Sequence, residues 1–339
     1  MKAFFRLALA LFFIAILTFS IHTVRSNVSA APDFKVAKIS ESSPSVTIEI
    51  PKGATGSDVG QILFKAGITK SALAYFRVAV ANPKSAQVAP GAHLLNLTIS
   101  ADQALTQLLD PKRIPNLIKI YEGGWNSEVV TAMTQYGFKK NEIELGLKTL
   151  SLPKGIVNAE GLLFPAQYTF AKGTSAAQAL QTMVDRFSAQ PSGYNLLVSK
   201  DQYTPQQLLV IASLVQAEGD TKDFAKISRV IRNRLQISMP LQLDSTVHYV
   251  KKVRGQIFLS TNSTLIKSPY NTYKHYGLPP SPIGNPGSAA LDAALKPASG
   301  DWLYFITVAP GDTRFTKSSA QFLTWKALYE KNRKNGAFN

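Results

Sequence analysis

Leu208-Leu209-Val210-Ile211-Ala212-Ser213-Leu214-Val215-Gln216-Ala217-Glu218-Gly219 is the stretch that organises this chain. Apolar residues at 208, 211 and 215 have helical spacing, and 218 is the next position on the same face. Thr204-Pro205 just upstream is a start signal, with Thr as N-cap and Pro in the first helical position. Gly219 is a stop signal. The spacing therefore predicts a helix over 205–218 that ends on a carboxylate where the core pattern calls for a hydrophobe. A half-buried acid at the negative end of a helix dipole has a raised pKa. That is what a general acid needs near neutral pH. The bland alternative is a helix-end Glu turned to solvent.

Downstream, a second helix is predicted over 223–237, with Phe224, Ile227, Val230, Ile231 and Leu235 apolar and Lys226, Arg229, Arg232 and Arg234 basic. Residues 239–300 are rich in turn formers. Trp302–Val308 reads as a strand, and because both of its faces are largely apolar it is expected to lie centrally in a sheet. A polar helix over 318–334 closes the chain. Upstream, one unit recurs: a short alternating strand, a Gly turn, then a helix. It occurs at Ile48-Glu49-Ile50-Pro51-Lys52-Gly53, at Ile118-Lys119-Ile120-Tyr121-Glu122-Gly123 and at Tyr168-Thr169-Phe170-Ala171-Lys172-Gly173. A shorter version at 97–105 lacks the Gly. Residues 45–110 read as a small β-α carbohydrate-binding module of the LysM type, or equally as an ordinary α+β packing unit. Residues 25–44 are rich in Ser, Ala and Pro and read as a linker.

The chain has 339 residues, enough for two domains, and no cysteine, which excludes disulfides, thiol catalysis and cysteine metal sites. With 37 Lys+Arg against 21 Asp+Glu, its formal charge of +16 suits an anionic partner. Lys2 and Arg6 precede an apolar stretch from Leu7 to about Val24, the pattern of an export signal or a single membrane span. Val28-Ser29-Ala30 keeps signal cleavage open. Either reading places the rest outside the cytoplasm, which turns the basic charge away from nucleic acid. His22, His93, His248 and His275 are scattered, so no metal site and no cofactor is expected.

A carboxylate site remains. Eight acids occur from 205 onward, and only Glu218 and Asp244 sit among apolar neighbours. In Leu241-Gln242-Leu243-Asp244-Ser245-Thr246-Val247, strand-like alternation puts Gln242, Asp244 and Thr246 on one face that could line a saccharide groove. Alternatively, Asp244 caps the segment that follows. Ser268-Pro269-Tyr270-Asn271-Thr272-Tyr273 leads into Gly277-Leu278-Pro279-Pro280 and Ile283-Gly284-Asn285-Pro286-Gly287. A stiff loop presenting Tyr, Asn and Thr suits sugar binding, although Pro and Gly also serve loop shape alone.

Together these stretches, with Asn233-Arg234-Leu235 and Glu160-Gly161-Leu162-Leu163-Phe164-Pro165, resemble the YceG-like family of endolytic murein transglycosylases over about 45–330. The resemblance implies an α+β chain: an N-terminal membrane segment or signal (1–26), a linker (27–44), a LysM-like β-α module (45–110) and a mixed α+β catalytic domain (111–339). It implies a single-pass plasma-membrane enzyme acting outside the cytoplasm on peptidoglycan glycan strands, with cell-wall synthases as candidate partners. The bond cleaved would be MurNAc-β-1,4-GlcNAc, broken without water to leave 1,6-anhydro ends. The second Glu of the family's E-K-E motif corresponds to Glu218, the expected catalytic residue. Gln242, Asp244, Thr246, Asn271 and Tyr273 are the expected substrate-binding residues.

The chain departs from the pattern at Gln216, where the family has the first Glu, at Ala166, where it has Asp, and at Thr313-Arg314-Phe315 and Ala320-Gln321-Phe322-Leu323. The segment between Glu218 and the basic helix is also short. These departures keep two other readings open: a hydrolytic muramidase using Glu218 with Asp244, and a cell-wall-binding scaffold without activity.

Overall fold

The computed structural model describes residues 31–40, 42–254 and 261–338. The expected membrane segment at 1–26 lies outside them. Among the described residues no helix is long and apolar enough to cross a membrane. The chain forms two compact units, one running up to Leu117 and including Thr169–Gly173, the other holding Ile118–Tyr168 and the chain from Thr174 onward.

The first unit begins with strand β1 (Ser45–Ile50), helices α1 (Gly56–Lys65) and α2 (Ala72–Ala81), and strand β2 (Gly91–Asn96). β1 and β2 pair antiparallel, Ser45 opposite Asn96 and Ile50 opposite Gly91. Helix α3 (Ala101–Leu108) follows. Alternation along β1 turns Ile48 and Ile50 inward onto Leu63, Ile68, Tyr75, Leu95 and Leu105, which form one apolar core. Each helix starts on a hydroxyl cap: Thr55, Ser71 and Ser100 accept from backbone N–H groups three residues on. Part of the expected linker belongs to this unit. Asp33 accepts from the Ala101 N–H at 3.1 Å, and Ala37 exchanges two hydrogen bonds with the Gln103 side chain.

In the second unit, β3 (Ile118–Ile120) leads through a Gly turn into α4 (Asn126–Tyr136), then α5 (Lys140–Lys148). β4 (Ala166–Tyr168) pairs antiparallel with β3 and leads to α6 (Ala176–Ala189) and α7 (Pro191–Leu197). The recurrent strand–turn–helix pattern is thus real three times, but the third strand lies two residues earlier than its alternation suggested. Helix α8 (Pro205–Glu218) is the centre of this unit. Thr204 and Gln207 form a reciprocal capping box at its start. Every residue from Leu208 to Val215 is buried, because other helices surround it. These include α9 (Phe224–Gln236), α10 (Asp244–Lys251), α11 (Ser288–Leu295) and the short α7. The helix stops at Gly219 in extended backbone (φ −173°), so the break needs no left-handed turn.

Two expectations fail for identifiable reasons. Strand β5 (Tyr304–Ala309) is not central: among the described residues it pairs only with β6 (Asp312–Thr316), in a hairpin. Its apolar residues pack on helices instead, Val308 buried and the others half-buried, since β5 lies against α9 and α12 (Ser319–Lys334). The alternation at 241–247 is not strand alternation either. Asp244 opens helix α10, so Gln242, Asp244 and Thr246 do not share a face.

Candidate active site

Glu218 ends α8 where the N-terminus of α10 comes to meet it. Ser245, the second residue of α10, donates its hydroxyl to Glu218 Oε1 at 2.5 Å, and its backbone N–H bonds the same carboxyl. The Glu218 carboxyl is thereby held in place by Ser245. Glu218 keeps some surface exposure as a residue. The protein crowded around its carboxyl still dominates. Burial pushes its pKa up to about 7, and the neighbouring Asp244 charge pushes the same way. The Ser245 hydrogen bonds and the Arg234 guanidinium pull it back.

Asp244 is held by the Tyr273 hydroxyl, which donates to its Oδ1. Burial, and then this bond, raise the Tyr273 phenol above its ordinary range, so it remains a donor at physiological pH. Arg234 is buried on α9. Its Nε donates to the Leu303 carbonyl at 2.6 Å and its Nη1 to the Leu241 carbonyl. Its side chain also lies over the Tyr304 ring, 5.6 Å from the centroid. A fixed positive charge therefore stands within electrostatic reach of Glu218 and Tyr273. A cavity of about 280 Å³ adjoins this cluster, lined by Glu122, Trp125, Gln216, Ser245 and His248 among others.

The structure brings Glu218, Asp244 and Tyr273 into one electrostatic cluster. Gln242 is exposed beside it, with a left-handed backbone (φ 48°) and its N–H on the Thr272 carbonyl. Thr246 and Asn271 are placed differently. Both are 0% exposed. The Thr246 hydroxyl donates to the Leu243 carbonyl at 2.7 Å and lies 3.1 Å from the Thr272 hydroxyl. The Asn271 amide donates to the Thr264 and Ile266 carbonyls and accepts from the Tyr273 N–H. Their polar groups are occupied within the protein, so they shape the loop and α10 and do not reach into a groove. Ser245 and Arg234 escaped the sequence reading as site residues. No motif singles out Ser245, whose partner Glu218 lies on another helix, or shows that Arg234 reaches the Leu241 and Leu303 carbonyls. Arg234 was visible only as part of a motif, in the position of a basic helix face.

The sequence profile of the YceG-like family matches residues 48–327, most of the chain and all of the residues above. The chain belongs to the YceG-like family. An endolytic murein transglycosylase of Bacillus subtilis is 31% identical to it over 311 residues, 85% of this chain and 86% of that protein. One of Streptococcus pneumoniae is 29% identical over 297 residues, covering 77% of this chain and 54% of that protein. The crystal structure of a YceG-like protein from Listeria monocytogenes matches with a TM-score of 0.56 at 27% identity, over 83% of this chain and 98% of that one.

The YceG-like motifs meet around Asn285, which is 0% exposed. Its side-chain carbonyl accepts from the Leu163 N–H at 2.9 Å, and its amide donates to the Gly124 carbonyl at 2.8 Å and to Asn126 Oδ1 at 3.0 Å. Backbone bonds between 123–124 and Asn285 reinforce the contact. Two glycines make this approach feasible. Gly284 has a φ of 157°, and a Cβ there would lie 2.6 Å from the Gly123 carbonyl. A Cβ on Gly287 would strike the Glu122 carboxylate at 2.0 Å. Glu160, first residue of the Glu160–Pro165 signature, accepts from the Asn126 N–H at 3.0 Å and the Tyr249 hydroxyl at 3.1 Å. Burial raises its pKa. It ties the start of α4 to α10.

Gln216 has an evident use in this YceG-like chain. Its Oε1 accepts from the N–H of Gly287, the N-cap of α11, at 2.9 Å. An amide oxygen does this without adding a second negative charge beside Glu218.

Proposed function

We propose that this chain is an endolytic peptidoglycan lytic transglycosylase and that Glu218 acts in turn as its general acid and general base. The observation that carries the reading is the Glu218 carboxyl, crowded by protein to a pKa of about 7 and held by the Ser245 hydroxyl. Protonated Glu218 gives its proton to the glycosidic oxygen as the MurNAc C1–O bond to GlcNAc breaks. The leaving GlcNAc departs with a free 4-hydroxyl. The C6 hydroxyl of the same MurNAc then attacks C1, and its proton returns to the Glu218 carboxylate. The product is a 1,6-anhydroMurNAc end; no water is consumed and Glu218 is restored.

A hydrolase of the two-carboxylate kind needs a second acid as nucleophile or base. Asp244 is the neighbouring acid, and the Tyr273 hydroxyl is bound to it. In this proposal Asp244 stabilises the positive charge that develops on the sugar ring, with Tyr273 holding its orientation. Gln242 contacts the glycan from the rim, and Thr246 and Asn271 hold the loop in place. Mass spectrometry of digested peptidoglycan tests the reaction. Anhydromuramic ends are expected, and reducing muramic ends would assign the chemistry to hydrolysis.

The pH profile follows from the same carboxyl. Glu218 must carry its proton to begin the cycle, so kcat/KM should be level below pH 6 and fall as pH rises through about 7. A profile still rising through pH 8 would be inconsistent with Glu218 as the initiating acid.

The β1–α1–α2–β2 order with an antiparallel strand pair supports reading the first unit as a LysM-like module for glycan strands. The apolar run Leu7–Val24 behind Lys2 and Arg6 supports a single-pass plasma-membrane anchor with the enzyme outside the cytoplasm, near cell-wall synthases.

A further inference from the structure

Helix α2 reads Ala72-Leu73-Ala74-Tyr75-Phe76-Arg77-Val78-Ala79-Val80-Ala81, apolar all round except at Arg77. A short helix of that composition is expected to be covered on every side. Its inner face is: Ala74, Tyr75 and Ala79 are buried in the core of the first unit. Its outer face is open. Leu73, Phe76 and Val80, spaced i, i+3 and i+7 along one stripe, are 45%, 40% and 71% exposed. The proposed reaction does not use this stripe.

Two observations identify what covers it. The first is charge. From Val59 to Ala101 the sequence contains Lys65, Lys70, Arg77 and Lys84 and not a single Asp or Glu. All four cations are exposed. An apolar stripe in a stretch of sequence whose charges are all positive suits an anionic lipid surface, where apolar side chains enter the headgroup layer and cations meet phosphates. The second is the tether. Pro32 is held at the start of α2, where its carbonyl accepts from the hydroxyl of Ser71, the N-cap of that helix, at 2.8 Å. Residues 25–30 are all that separate Pro32 and Ala31 from the end of the apolar run at Val24. Six extended residues reach at most about 20 Å.

We infer that the outer face of α2 lies on the bilayer, with Leu73, Phe76 and Val80 in the headgroup region of anionic phospholipid. This rests on the proposed membrane anchor. The first unit would then be a module held flat on the membrane surface, not a flexibly swinging one, and glycan would be engaged close to the lipid.

The absence of cysteine makes the test direct. Full-length Phe76→Cys, Thr47→Cys and Ala15→Cys chains carry one fluorophore each in vesicles of equal phosphatidylglycerol and phosphatidylethanolamine, with nitroxide quenchers on the lipids. Thr47 is exposed on the β1 face turned away from the core, so it reports on water. Residue 76 should lose about half or more of its emission to a quencher placed near the headgroups, at the depth of an interfacial helix. Residue 47 should lose little, and residue 15 should be quenched by the deepest probes. Residue 76 behaving like residue 47 while residue 15 is quenched overturns the inference and leaves the anchor standing. No quenching at residue 15 overturns the anchor reading and this inference with it. Shielding of residue 76 from water without quenching by lipid would assign the stripe to a second copy or another protein, and also overturns it.

Discussion

Glu218→Gln is expected to lower glycan cleavage by about 10²–10⁴-fold, the usual worth of a positioned general acid–base group. Gln keeps the shape of the side chain and its contact with the Ser245 hydroxyl, so the loss should fall on kcat and leave glycan binding intact. The same substitution should change stability in the opposite sense. Below about pH 4 the folded and unfolded chains both carry the Glu218 proton. As pH rises toward 7 the unfolded chain loses it first, while burial keeps the folded carboxyl protonated, so the native protein is progressively penalised. Removing the ionisable group should therefore stabilise the protein at pH 8 by up to about 3 kcal/mol and have almost no effect at pH 4. Urea unfolding at the two pH values measures this. Equal stability changes at both would mean that Glu218 is not buried enough to be a poised acid.

The second large effect is expected at Asn285, which takes no part in the proton transfer. Asn285→Ala leaves the Leu163 N–H without its acceptor and Asn126 Oδ1 without its amide donor. An orphaned buried group costs about 1–3 kcal/mol, so a loss of roughly 3 kcal/mol is anticipated. The denaturant midpoint should fall with its slope unchanged. Activity at low temperature should fall too, because Asn285 joins 123–126, including Trp125 of the cavity wall, to the 160–165 signature. A variant as stable as the parent would show that backbone bonds alone hold these segments.

The central helix was legible because its signals are local. Thr204, Pro205 and Gln207 mark its start, and the apolar spacing runs without a break to Glu218. Glu218 itself stood out as a polar residue in an apolar register. The second helix and the closing helix were found the same way. Failures came where tertiary contacts override a short pattern. Five or six alternating residues at 241–247 look like a strand, but Asp244 begins a helix and Thr246 turns into the core. The apolar faces of β5 say that they are covered; they do not say that helices do the covering. Asn271 looked suited to sugar because an amide in a stiff Tyr-rich loop can bind hydroxyls, yet its donors are spent on Thr264 and Ile266. Ser245 and Arg234 carry chemistry assigned by distant segments, and a single sequence does not reveal that Arg234 bridges the Leu241 and Leu303 carbonyls.

Whether water enters the product separates transglycosylation from hydrolysis. Digestion of purified glycan strands in water enriched in heavy oxygen, followed by mass spectrometry of the muramic ends, reads this in one step. If the C6 hydroxyl is the nucleophile and Glu218 serves as acid and then base, the new ends will be anhydro sugars with no solvent oxygen. One heavy oxygen at C1 of each new muramic end would contradict that, and would make Asp244 or a water molecule it activates the partner of Glu218.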